Sequence, residues 1–336
     1  MARYSRNLYE GLKAYCDVDL IQIKYDESAQ GYNKVHQAML SFQALKSCTR
    51  IADKRYDAVH SLDPIIGAFI PFITQNSMVT FHDLVPLSLK GVWRFEPAIQ
   101  AYFKLIYLAA ARSKLITTNS SQTKSEMIDL LRTSPDKIHV INHAVDDKFK
   151  PQVKNNSVHK TLGFIGNFGY RKRIDIAIEV YKRLRSNNVD CKLVLAAGEK
   201  AEPSRTKFDI QALTGGDDGI TIRNFVPEDE MVQLYNSFDI LLVTSETEGF
   251  GLPILEAQRC GVPVLVRNEA SIPAEVTEAA VKCDASDGLV CEATNLFIDP
   301  AYFQQVSGKG IAYSSKFTWE NVVQQTIDVY KRISDR

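Results

Sequence analysis

The stretch from Ile240 to Pro263 constrains the fold most strongly, because it joins a strand, a glycine-bearing loop and a helix. Ile240 to Val243 is a short apolar run, which is typical of a strand buried in a parallel sheet. A short helix is predicted to begin at Leu252 and to end at the Cys260-Gly261 pair. The loop between them lies at the carboxyl end of a parallel strand, where α/β sheets usually bind ligands. Free N–H groups at the start of the helix suit a phosphate or a sugar hydroxyl.

Two carboxylates lie in this element, Glu248 in the loop and Glu256 in the helix, and Gly249 and Gly251 bracket Phe250. The glycines allow the backbone to approach a ligand closely. The frame E-G-F-G-L-P-I-L-E resembles the E-x7-E motif of retaining nucleotide-sugar glycosyltransferases of the GT-B fold, of the family 4 or group 1 type. The alternative is that Glu248 is a solvated acid in a loop and Glu256 an acid on a helix face. That alternative does not account for the matching glycines and strand context.

Length and charge exclude several other classes of protein. A chain of 336 residues is long enough for two domains, and its 40 Lys and Arg residues balance its 40 Asp and Glu residues, so nucleic acid is not an expected partner. The six cysteines form no C-x-x-C pair and are expected to be reduced, and the six histidines show no metal-ligand spacing, so no metal or other cofactor is expected. The sequence shows no signal peptide and no run able to span a bilayer, and we therefore expect a cytoplasmic protein.

Strands and helices alternate along both halves, which predicts two doubly wound parallel sheets. In the first half the predicted strands are 18–23, 56–60, 79–82, 114–119 and 137–143, and the predicted helices are 32–45, 97–111 and 121–132, with 65–73 helical or irregular. The polar segment 146–160 is predicted to link two domains. In the second half the predicted strands are 161–165, 192–196, 220–225, 240–243 and 262–266, and the predicted helices are 174–186, 228–238, the one from Leu252, and 319–333.

The resemblance covers nearly the whole chain and implies the GT-B fold, in which two Rossmann-like domains with doubly wound parallel sheets face each other across a cleft. It implies an acceptor-side domain at 1–150, a nucleotide-sugar-binding domain at 151–316, and a final helix within 317–336 that returns to the first domain. Phe317 to Glu320, F-T-W-E, resembles the start of that helix.

The beginning of the chain departs from the family. Residues 1–15 resemble the family's first helix, with Tyr4, Leu8, Leu12 and Tyr15 on one side, but the strand and Gly-Gly turn that usually precede this helix are missing. The missing strand would be central in the sheet. We therefore expect the first domain to have uncovered sheet edges and uncovered apolar helix faces.

The turn G-N-F-G-Y-R-K at 166–172 follows a predicted strand and precedes a predicted helix. It resembles the family's glycine turn with its basic pair, so the resemblance implies donor contacts from Gly166, Asn167, Gly169, Arg171 and Lys172. A diphosphate requires such positive charge because the departing nucleotide develops negative charge. The following Arg173 is expected to be solvated. A basic cluster without an anion is the alternative, but positive charge at a helix start is unfavourable. The glycine spacing also differs from the Gly-x-Gly-x-x-Gly fingerprint of dehydrogenases.

The resemblance also assigns the remaining donor contacts. It implies that Glu256 accepts hydrogen bonds from the ribose hydroxyls and that Glu248 lies at the hydroxyls and reacting face of the donor sugar. The other implied donor residues are Val226, Gly249, Phe250, Gly251 and Leu252. Retaining enzymes of this kind react on one face, with the departing phosphate helping to deprotonate the acceptor, so no carboxylate nucleophile is required, unlike in the paired-acid glycosidases.

In the first half, F-H-D-L places His82 and Asp83 at the end of a strand. They resemble the family's His-Asp pair, in which the histidine reaches the donor sugar, and the implied catalytic residues are therefore His82, Glu248, Arg171 and Lys172. A structural histidine is the alternative. The strand-end residues Asp63, Asp83, Asn119 and Ser120 are predicted to line the acceptor side. Residues 141–146 resemble a family turn, with Ala144 where a glycine is usual, and a positive φ at Ala144 would be strained.

The leading interpretation is a retaining glycosyltransferase that moves a hexosyl group from a UDP- or GDP-hexose to a saccharide or lipid-linked acceptor in glycan, polysaccharide or glycolipid synthesis. The alternatives are another GT-B sugar-nucleotide enzyme, or a non-catalytic GT-B paralogue that acts as a partner subunit. Basic and aromatic residues of 102–114 suggest peripheral contact with the inner face of the membrane, whereas a buried helix with solvated charges explains the same residues and is preferred.

Overall fold

The computed structural model describes residues 2–22, 51, 54–88, 97–153, 159–197 and 208–334. The chain divides into two compact units. Unit 1 comprises Met1–Ala144 and Trp319–Arg336, and unit 2 comprises Val145–Thr318. Each unit is built on one parallel β-sheet with helices on both faces.

The described strands fall into two sheets. Unit 1 contains β1 (Val59–Ser61), β2 (Ser77–Phe81), β3 (Leu115–Thr118) and β4 (Ile138–Val140), and unit 2 contains β5 (Lys160–Ile165), β6 (Cys191–Ala196), β7 (Ile220–Arg223), β8 (Ile240–Val243), β9 (Val264–Arg267) and β10 (Val281–Cys283). Every pairing between these strands is parallel.

The described helices connect these strands. They are α1 (Ala2–Leu12), α2 (Pro64–Gly67), α3 (Val85–Ser88), α4 (Pro97–Ala110), α5 (Ser121–Leu131), α6 (Ile174–Ser186), α7 (Ile210–Thr214), α8 (Met231–Ser237), α9 (Leu252–Arg259), α10 (Ala274–Thr277), α11 (Ala285–Ile298), α12 (Pro300–Ser314) and α13 (Trp319–Ser334). Short 3-10 turns occur at Ile70–Phe72, Pro135–Lys137 and Tyr170–Lys172. None of the helices in the described part of the chain has the length and apolar character needed to cross a bilayer.

The sheet of unit 1 has the order β1-β2-β3-β4 and is buried on both faces. Met78 and Leu115 pack on one face with α1 and α13, whereas Val79 and Ile116 pack on the other face with α4 and α5. This division follows from the two-residue period of a strand, which sends successive side chains to opposite faces. The carboxyl ends of the four strands lie at one edge of the sheet.

Helix α1 packs against α13, and both belong to unit 1. Leu8 and Leu12 are buried, and Gly11 allows close approach because a Cβ there would lie 2.4 Å from Cγ2 of Val323. The expectation that the apolar face of α1 would be uncovered is therefore wrong, since the final helix covers it. Tyr15 lies beyond the end of α1 and is 62% exposed, so it does not extend the buried face.

The sheet of unit 2 has the order β10-β9-β8-β5-β6-β7. Strand β5 is the first strand of this unit and lies between β8 and β6. The chain therefore adds β6 and β7 on one side of β5, and then β8, β9 and β10 on the other side. The loops after β5 and β8 consequently leave the same edge towards opposite faces. This topological switch point forms the crevice in which open α/β sheets bind ligands.

Most predicted elements are present, with ends shifted by at most three residues. The strand predicted at 18–23 is wrong over its described part, because residues 17–22 have no regular structure. Asp19 instead accepts hydrogen bonds from Lys54 Nζ and Tyr56 Oη, each at 2.8 Å, so side-chain contacts rather than a β-ladder hold this segment. The helix predicted at 32–45 lies outside the described residues.

Part of the predicted interdomain linker belongs to the core of unit 2. Phe149 is completely buried and packs edge-on against Tyr235, with ring centroids 5.6 Å apart. The Val145 N–H donates to the Phe317 carbonyl at 3.0 Å.

The segment between 102 and 114 is partly buried and partly exposed. Phe103 and Tyr107 are buried, as the buried-helix alternative predicts, whereas Leu105 is 69% exposed.

Sequence patterns missed several elements of unit 2: α7, α10, α11, α12 and β10. A signal for α12 was present, because Asp299 caps the helix by accepting from the N–H groups of Ala301 and Tyr302, and Pro300 takes its first position. Helix α11 was harder to recognise because it contains Gly288 and begins at Ala285 with a left-handed φ of 52°.

Candidate active site

The candidate site of unit 2 lies where the loops after β5 and β8 meet at the switch point. The loop after β5 contains Gly166 and the 3-10 turn Tyr170–Lys172, and the loop after β8 leads into α9. Hydrogen bonds to main-chain carbonyls of the β5 loop help to join the two loops: the Glu246 N–H donates to the Arg171 carbonyl at 2.8 Å, and Thr244 Oγ1 donates to the Lys172 carbonyl at 2.9 Å. Residues about 75 positions apart in the chain are thus placed side by side.

Glu248 is the centre of a buried group of charges, here called the ionic cluster, which also contains Lys172, Arg171 and Ser245. Lys172 Nζ and Ser245 Oγ donate to Glu248 Oε1 at 2.6 and 2.5 Å, and Arg171 donates to Oε2 at 3.2 Å. Arg171 also donates to the Thr247 carbonyl. The predicted residues Glu248, Arg171 and Lys172 are therefore brought together within unit 2.

The charge states of the ionic cluster follow from burial and mutual attraction. Burial alone would raise the pKa of Glu248, but attraction by Lys172 and Arg171, with the hydrogen bonds from Lys172 and Ser245, lowers that pKa to about 2. Burial lowers the pKa of Lys172, and this effect is opposed by its attraction to Glu248. Glu248 is consequently ionised at neutral pH, and the basic side chains of Lys172 and Arg171 bind it.

Two glycines give the site its shape. Gly166 lies against the aliphatic chain of Lys172, and a Cβ at this position would approach that chain to 3.1 Å. Gly251 adopts a φ of 102° at the N-cap of α9, a conformation that L side chains rarely adopt. Since Gly251 has no side chain to cap the helix, the first N–H groups of α9 depend on other partners.

Glu256, in α9, is 4% exposed and is oriented by a second buried residue. The hydroxyl of Tyr235, in α8, donates to Glu256 Oε2 at 2.7 Å. Tyr235 is itself fixed between Phe149 and Phe238, which contact its ring edge-on. The predicted ribose acceptor is thus a carboxylate that is already held in one orientation.

The other predicted donor residues lie either in the loop after β5 or at the start of α9. Asn167 is exposed at the tip of the β5 loop, and the carbonyl of Gly169 accepts from the N–H of Lys172 at 3.0 Å. Gly249 and Leu252 are half-buried at the start of α9, and Phe250 is 5% exposed.

Val226 belongs to the core of unit 2, where it is 2% exposed. Its N–H donates to the Ala197 carbonyl at 2.8 Å. Any contribution of this turn to ligand binding would therefore come from groups other than that N–H.

Arg173 is not solvated, contrary to expectation. It is bidentate to Asp175, with N–O distances between 2.8 and 3.1 Å, and donates to Glu246 at 2.5 Å. Arg267, in β9, donates to the same carboxylate of Glu246 at 3.1 Å. Sequence patterns had singled out neither Glu246 nor Arg267, because they become neighbours of Arg173 only through the sheet order.

In unit 1 the strand ends bring His82 and Asn119 together with His143, a set here called the histidine cluster. The His82 and His143 rings stack with centroids 5.1 Å apart, and His82 Nδ1 lies 3.3 Å from His143 Nε2. His82 Nε2 lies 3.0 Å from the Leu62 carbonyl, which can only accept, so that nitrogen carries a proton. Asn119 Nδ2 donates to the His82 carbonyl at 2.7 Å.

Burial holds the histidine cluster neutral. Burial lowers the pKa of His82 to about 4, opposed by the hydrogen bond to the Leu62 carbonyl. Burial, together with repulsion from His82, also holds the pKa of His143 well below its ordinary value. His82 is therefore an uncharged hydrogen-bonding group at neutral pH rather than a cation.

The other predicted acceptor-side residues cap helices. Asp63 accepts from the N–H groups of Ile65 and Ile66 at the start of α2, and burial raises its pKa. Asp83 accepts from the Val85 N–H at 3.0 Å, and Ser120 accepts from the Thr123 N–H at 3.1 Å. Ala144 is not among the described residues with positive φ, so the strain considered for that turn is absent.

Two protein-family models match the chain, and together they span residues 1–296. The model described as Glycosyltransferase Family 4 matches residues 1–149, and the model described as Glycosyl transferases group 1 matches residues 145–296. Among characterised proteins, the chain is similar to O-antigen chain mannosyltransferase B of Escherichia coli. The two are 25% identical over 277 residues, which cover 78% of this chain and 72% of that protein.

Solved structures of glycosyltransferases share the fold. Sucrose-phosphate synthase from Thermosynechococcus elongatus matches with a TM-score of 0.79 at 16% identity, covering 98% of this chain and 92% of that one. HepE of Anabaena, solved in complex with UDP and glucose, matches with a TM-score of 0.70 at 16% identity, covering 90% of this chain and 83% of that one. The two parallel-sheet α/β units thus form a GT-B fold.

Proposed function

The chain belongs to the family 4, or group 1, glycosyltransferases, and we propose that it moves a hexosyl group from a nucleotide-diphosphate sugar to a saccharide or lipid-linked acceptor with retention of configuration. The observation that supports this most directly is the ionic cluster at the β5/β8 switch point. It combines a buried carboxylate with two cations beside a helix start that has no side-chain cap.

In this proposal Arg171 and Lys172 bind the diphosphate. Departure of the nucleotide leaves additional negative charge on the phosphate oxygens, and cations held in a buried site stabilise that charge without reorganising. The uncapped N–H groups at the start of α9 would add further donors. Because these groups supply the positive charge, the proposal includes no metal, and a chelator is expected to leave transfer unchanged.

Glu248 would orient the donor sugar. A carboxylate has about four acceptor positions, and Lys172, Ser245 and Arg171 occupy three of them. The remaining position, on Oε2, suits one sugar hydroxyl. Glu256 would accept from the ribose, with its orientation preset by Tyr235. The departing phosphate would then take the proton of the acceptor on the same face of the sugar.

For His82 we propose contact with the donor sugar through a neutral imidazole. Its Nε2 proton is directed at the Leu62 carbonyl, so such a contact requires this hydrogen bond to be exchanged for one to a sugar hydroxyl. The neighbouring acceptor-side residues Asp63, Asp83 and Ser120 cap helices, and their proposed role is to shape the surface rather than to react.

The first test is calorimetric titration of the purified protein with UDP, GDP and ADP, beside Glu256→Ala and the control Asp218→Asn, which removes an exposed carboxylate of the same unit. UDP comes first because HepE was solved with UDP. One nucleotide is expected to bind, and Glu256→Ala is expected to weaken that binding by about 1.5–3 kcal/mol, the range for a hydrogen bond to a charged group. Asp218→Asn is expected to bind as the wild type does.

The outcomes separate the alternatives. Binding of a nucleotide sugar without transfer to any acceptor in a broad screen would favour the partner-subunit interpretation. Absence of binding by folded protein to all three nucleotides would contradict the proposed donor site. Analysis of the product anomer by NMR decides whether configuration is retained.

A further inference from the structure

The cations of the ionic cluster lie on a turn whose conformation is held from outside the cluster. Arg171 and Lys172 are the last residues of the 3-10 turn, and Arg173 follows with a left-handed φ of 48° before α6 begins. A left-handed conformation is strained for a non-glycine residue, because its Cβ comes too close to the following carbonyl oxygen. Because Arg173 directly follows Lys172, its backbone conformation sets how the turn that carries Lys172 joins α6.

The Arg173 side chain is fixed on two sides. Asp175 binds it bidentately, and Glu246 accepts from its Nη1 at 2.5 Å. The Arg173 and Glu246 side chains are 27% and 35% exposed, so each is partly shielded from water. These contacts offset the cost of the left-handed backbone.

Glu246 is in turn fixed by Arg267, at the end of β9. Arg267 donates to Glu246 Oε1 at 3.1 Å and to the Thr244 carbonyl at 3.2 Å, and its side chain is only 9% exposed. The Glu246 N–H meanwhile donates to the Arg171 carbonyl at 2.8 Å. Glu246 therefore connects strand β9, the β8 loop and the turn that carries the two cations.

We propose that Glu246, Arg173 and Arg267 form a clamp that positions Arg171 and Lys172 for the phosphates of the donor. Glu246 is accordingly a positioning residue, since it binds none of Glu248, Lys172 and the Arg171 side chain in the structure. The inference rests on the proposed function for the identity of the ligand, but the mechanical role of the clamp is independent of it.

The test uses Glu246→Gln, which removes the charge and keeps the shape. Calorimetry would compare the affinity for UDP with the affinity for uridine, or the affinity for GDP with the affinity for guanosine. The affinity for the nucleoside would be measured by displacement. Because the clamp acts through the phosphate-binding residues, affinity for the diphosphate is expected to fall about tenfold, roughly the contribution of a hydrogen bond to a charged group. Affinity for the nucleoside is expected to remain unchanged. Equal losses for both ligands, or no loss for either, would overturn the clamp.

The matched control is Glu269→Gln, which removes another carboxylate bound to Arg267, at 3.3 Å, and leaves the clamp intact. It is expected to bind both ligands as the wild type does. Arg267→Gln should reproduce the tenfold loss, and the double variant Glu246→Gln/Arg267→Gln should be no worse than either single one, because the residues act as a unit. Additive losses would contradict that unit.

A second measurement needs no ligand. Hydrogen exchange of the amides of residues 170–173 is expected to accelerate in Glu246→Gln and to stay unchanged in Glu269→Gln. If wild-type protein binds no nucleotide but the exchange behaves in this way, the proposed function fails and the clamp stands. If nucleotide binds and the exchange is unchanged in Glu246→Gln, the clamp fails and the proposed function stands.

Discussion

The two units place polar side chains at the carboxyl ends of parallel strands, but they satisfy them in opposite ways. The histidine cluster of unit 1 is uncharged and consists of stacked imidazoles and an amide that bond to one another and to backbone carbonyls. The ionic cluster of unit 2 is charged, with a buried carboxylate between a lysine and an arginine. Both clusters are largely removed from water.

The difference follows from the groups available. Burial pushes a histidine towards its neutral form, which can still donate and accept, so unit 1 avoids burying charge. Glu248 has two cations within reach, so its charged form is retained at the cost of desolvating all three groups. A neutral cluster tolerates loss of one member better than an ion cluster does, since the latter then contains an unpaired charge.

Removing Lys172 should be the most damaging change. Lys172→Met leaves Glu248 buried with half of its countercharge, and loss of one partner of a buried pair costs about 3–5 kcal/mol of the free energy of unfolding. Urea denaturation followed by far-UV circular dichroism measures this loss, and nucleotide binding should vanish with it. The control Lys192→Met, at an exposed position of β6, should lose less than about 0.5 kcal/mol.

The double variant Lys172→Met/Glu248→Leu sharpens the same prediction. Replacing both partners by apolar groups removes the unpaired charge, so much of the stability should return. Nucleotide binding should not return, because the charges themselves bind the ligand. Recovery of binding in the double variant would show that Lys172 and Glu248 have only a structural role.

Breaking the neutral cluster should cost less. Asn119→Ala removes the donor to the His82 carbonyl, and loss of a partner from a buried neutral group costs about 1–3 kcal/mol. Both tryptophans of the chain, Trp93 and Trp319, have sequence positions within the ranges of unit 1, so tryptophan fluorescence in urea is used to follow the unfolding of this unit. Gln325→Ala, an exposed change in α13, is the control. A loss as large as that of Lys172→Met would remove the distinction between the clusters.

Acid should destabilise unit 1 before it affects the charge of Glu248. Burial lowers the pKa values of His60 and His82 to about 3 and about 4, whereas an unfolded histidine titrates near 6.5. The unfolded chain therefore takes up more protons between about pH 6.5 and 4, and the free energy of unfolding falls as the pH falls through this range. Glu248, with a pKa of about 2, loses its contribution only as the pH falls from about 4.5 towards 2.

Urea denaturation at several pH values measures the difference. Tryptophan fluorescence follows unit 1, and hydrogen exchange of β5 and β8 follows unit 2. A stability of unit 1 that is constant between pH 7 and 5 would contradict the neutral state of its histidines.

The smallest effect is expected for Tyr235→Phe, which removes only the hydroxyl that orients Glu256. Loss of this hydrogen bond should cost about 1 kcal/mol of stability, and nucleotide affinity should fall severalfold because the carboxylate is no longer held. Tyr302→Phe is the matched control, since the Tyr302 hydroxyl donates to Glu292 at 2.8 Å elsewhere in unit 2. If both variants bind nucleotide equally well, Glu256 does not need to be oriented.

The sequence by itself determined the elements that depend on local patterns. The apolar run of β8, the glycine frame after it and the periodicity of α6 led to the correct strand and helices, with the ends of β8 and α6 matching the structure. Parallel strands have their carboxyl ends at one edge, so the placement of Glu248 and Arg171 near each other could also be anticipated. Segments with weak periodicity, such as residues 17–22 and α11, could not be assigned because side-chain contacts and tertiary packing decide their conformation.

Only the tertiary structure decided which basic side chain binds which carboxylate. Arg171, Lys172 and Arg173 are consecutive in the sequence, and no local pattern indicates that the first two bind Glu248 while the third binds Glu246. That choice arises because β5 lies beside β8, and β8 beside β9, which brings together loops far apart in the chain. The left-handed backbone of Arg173 then turns successive basic side chains towards different partners. Sheet order is a long-range property, and it was therefore invisible in the sequence of any one segment.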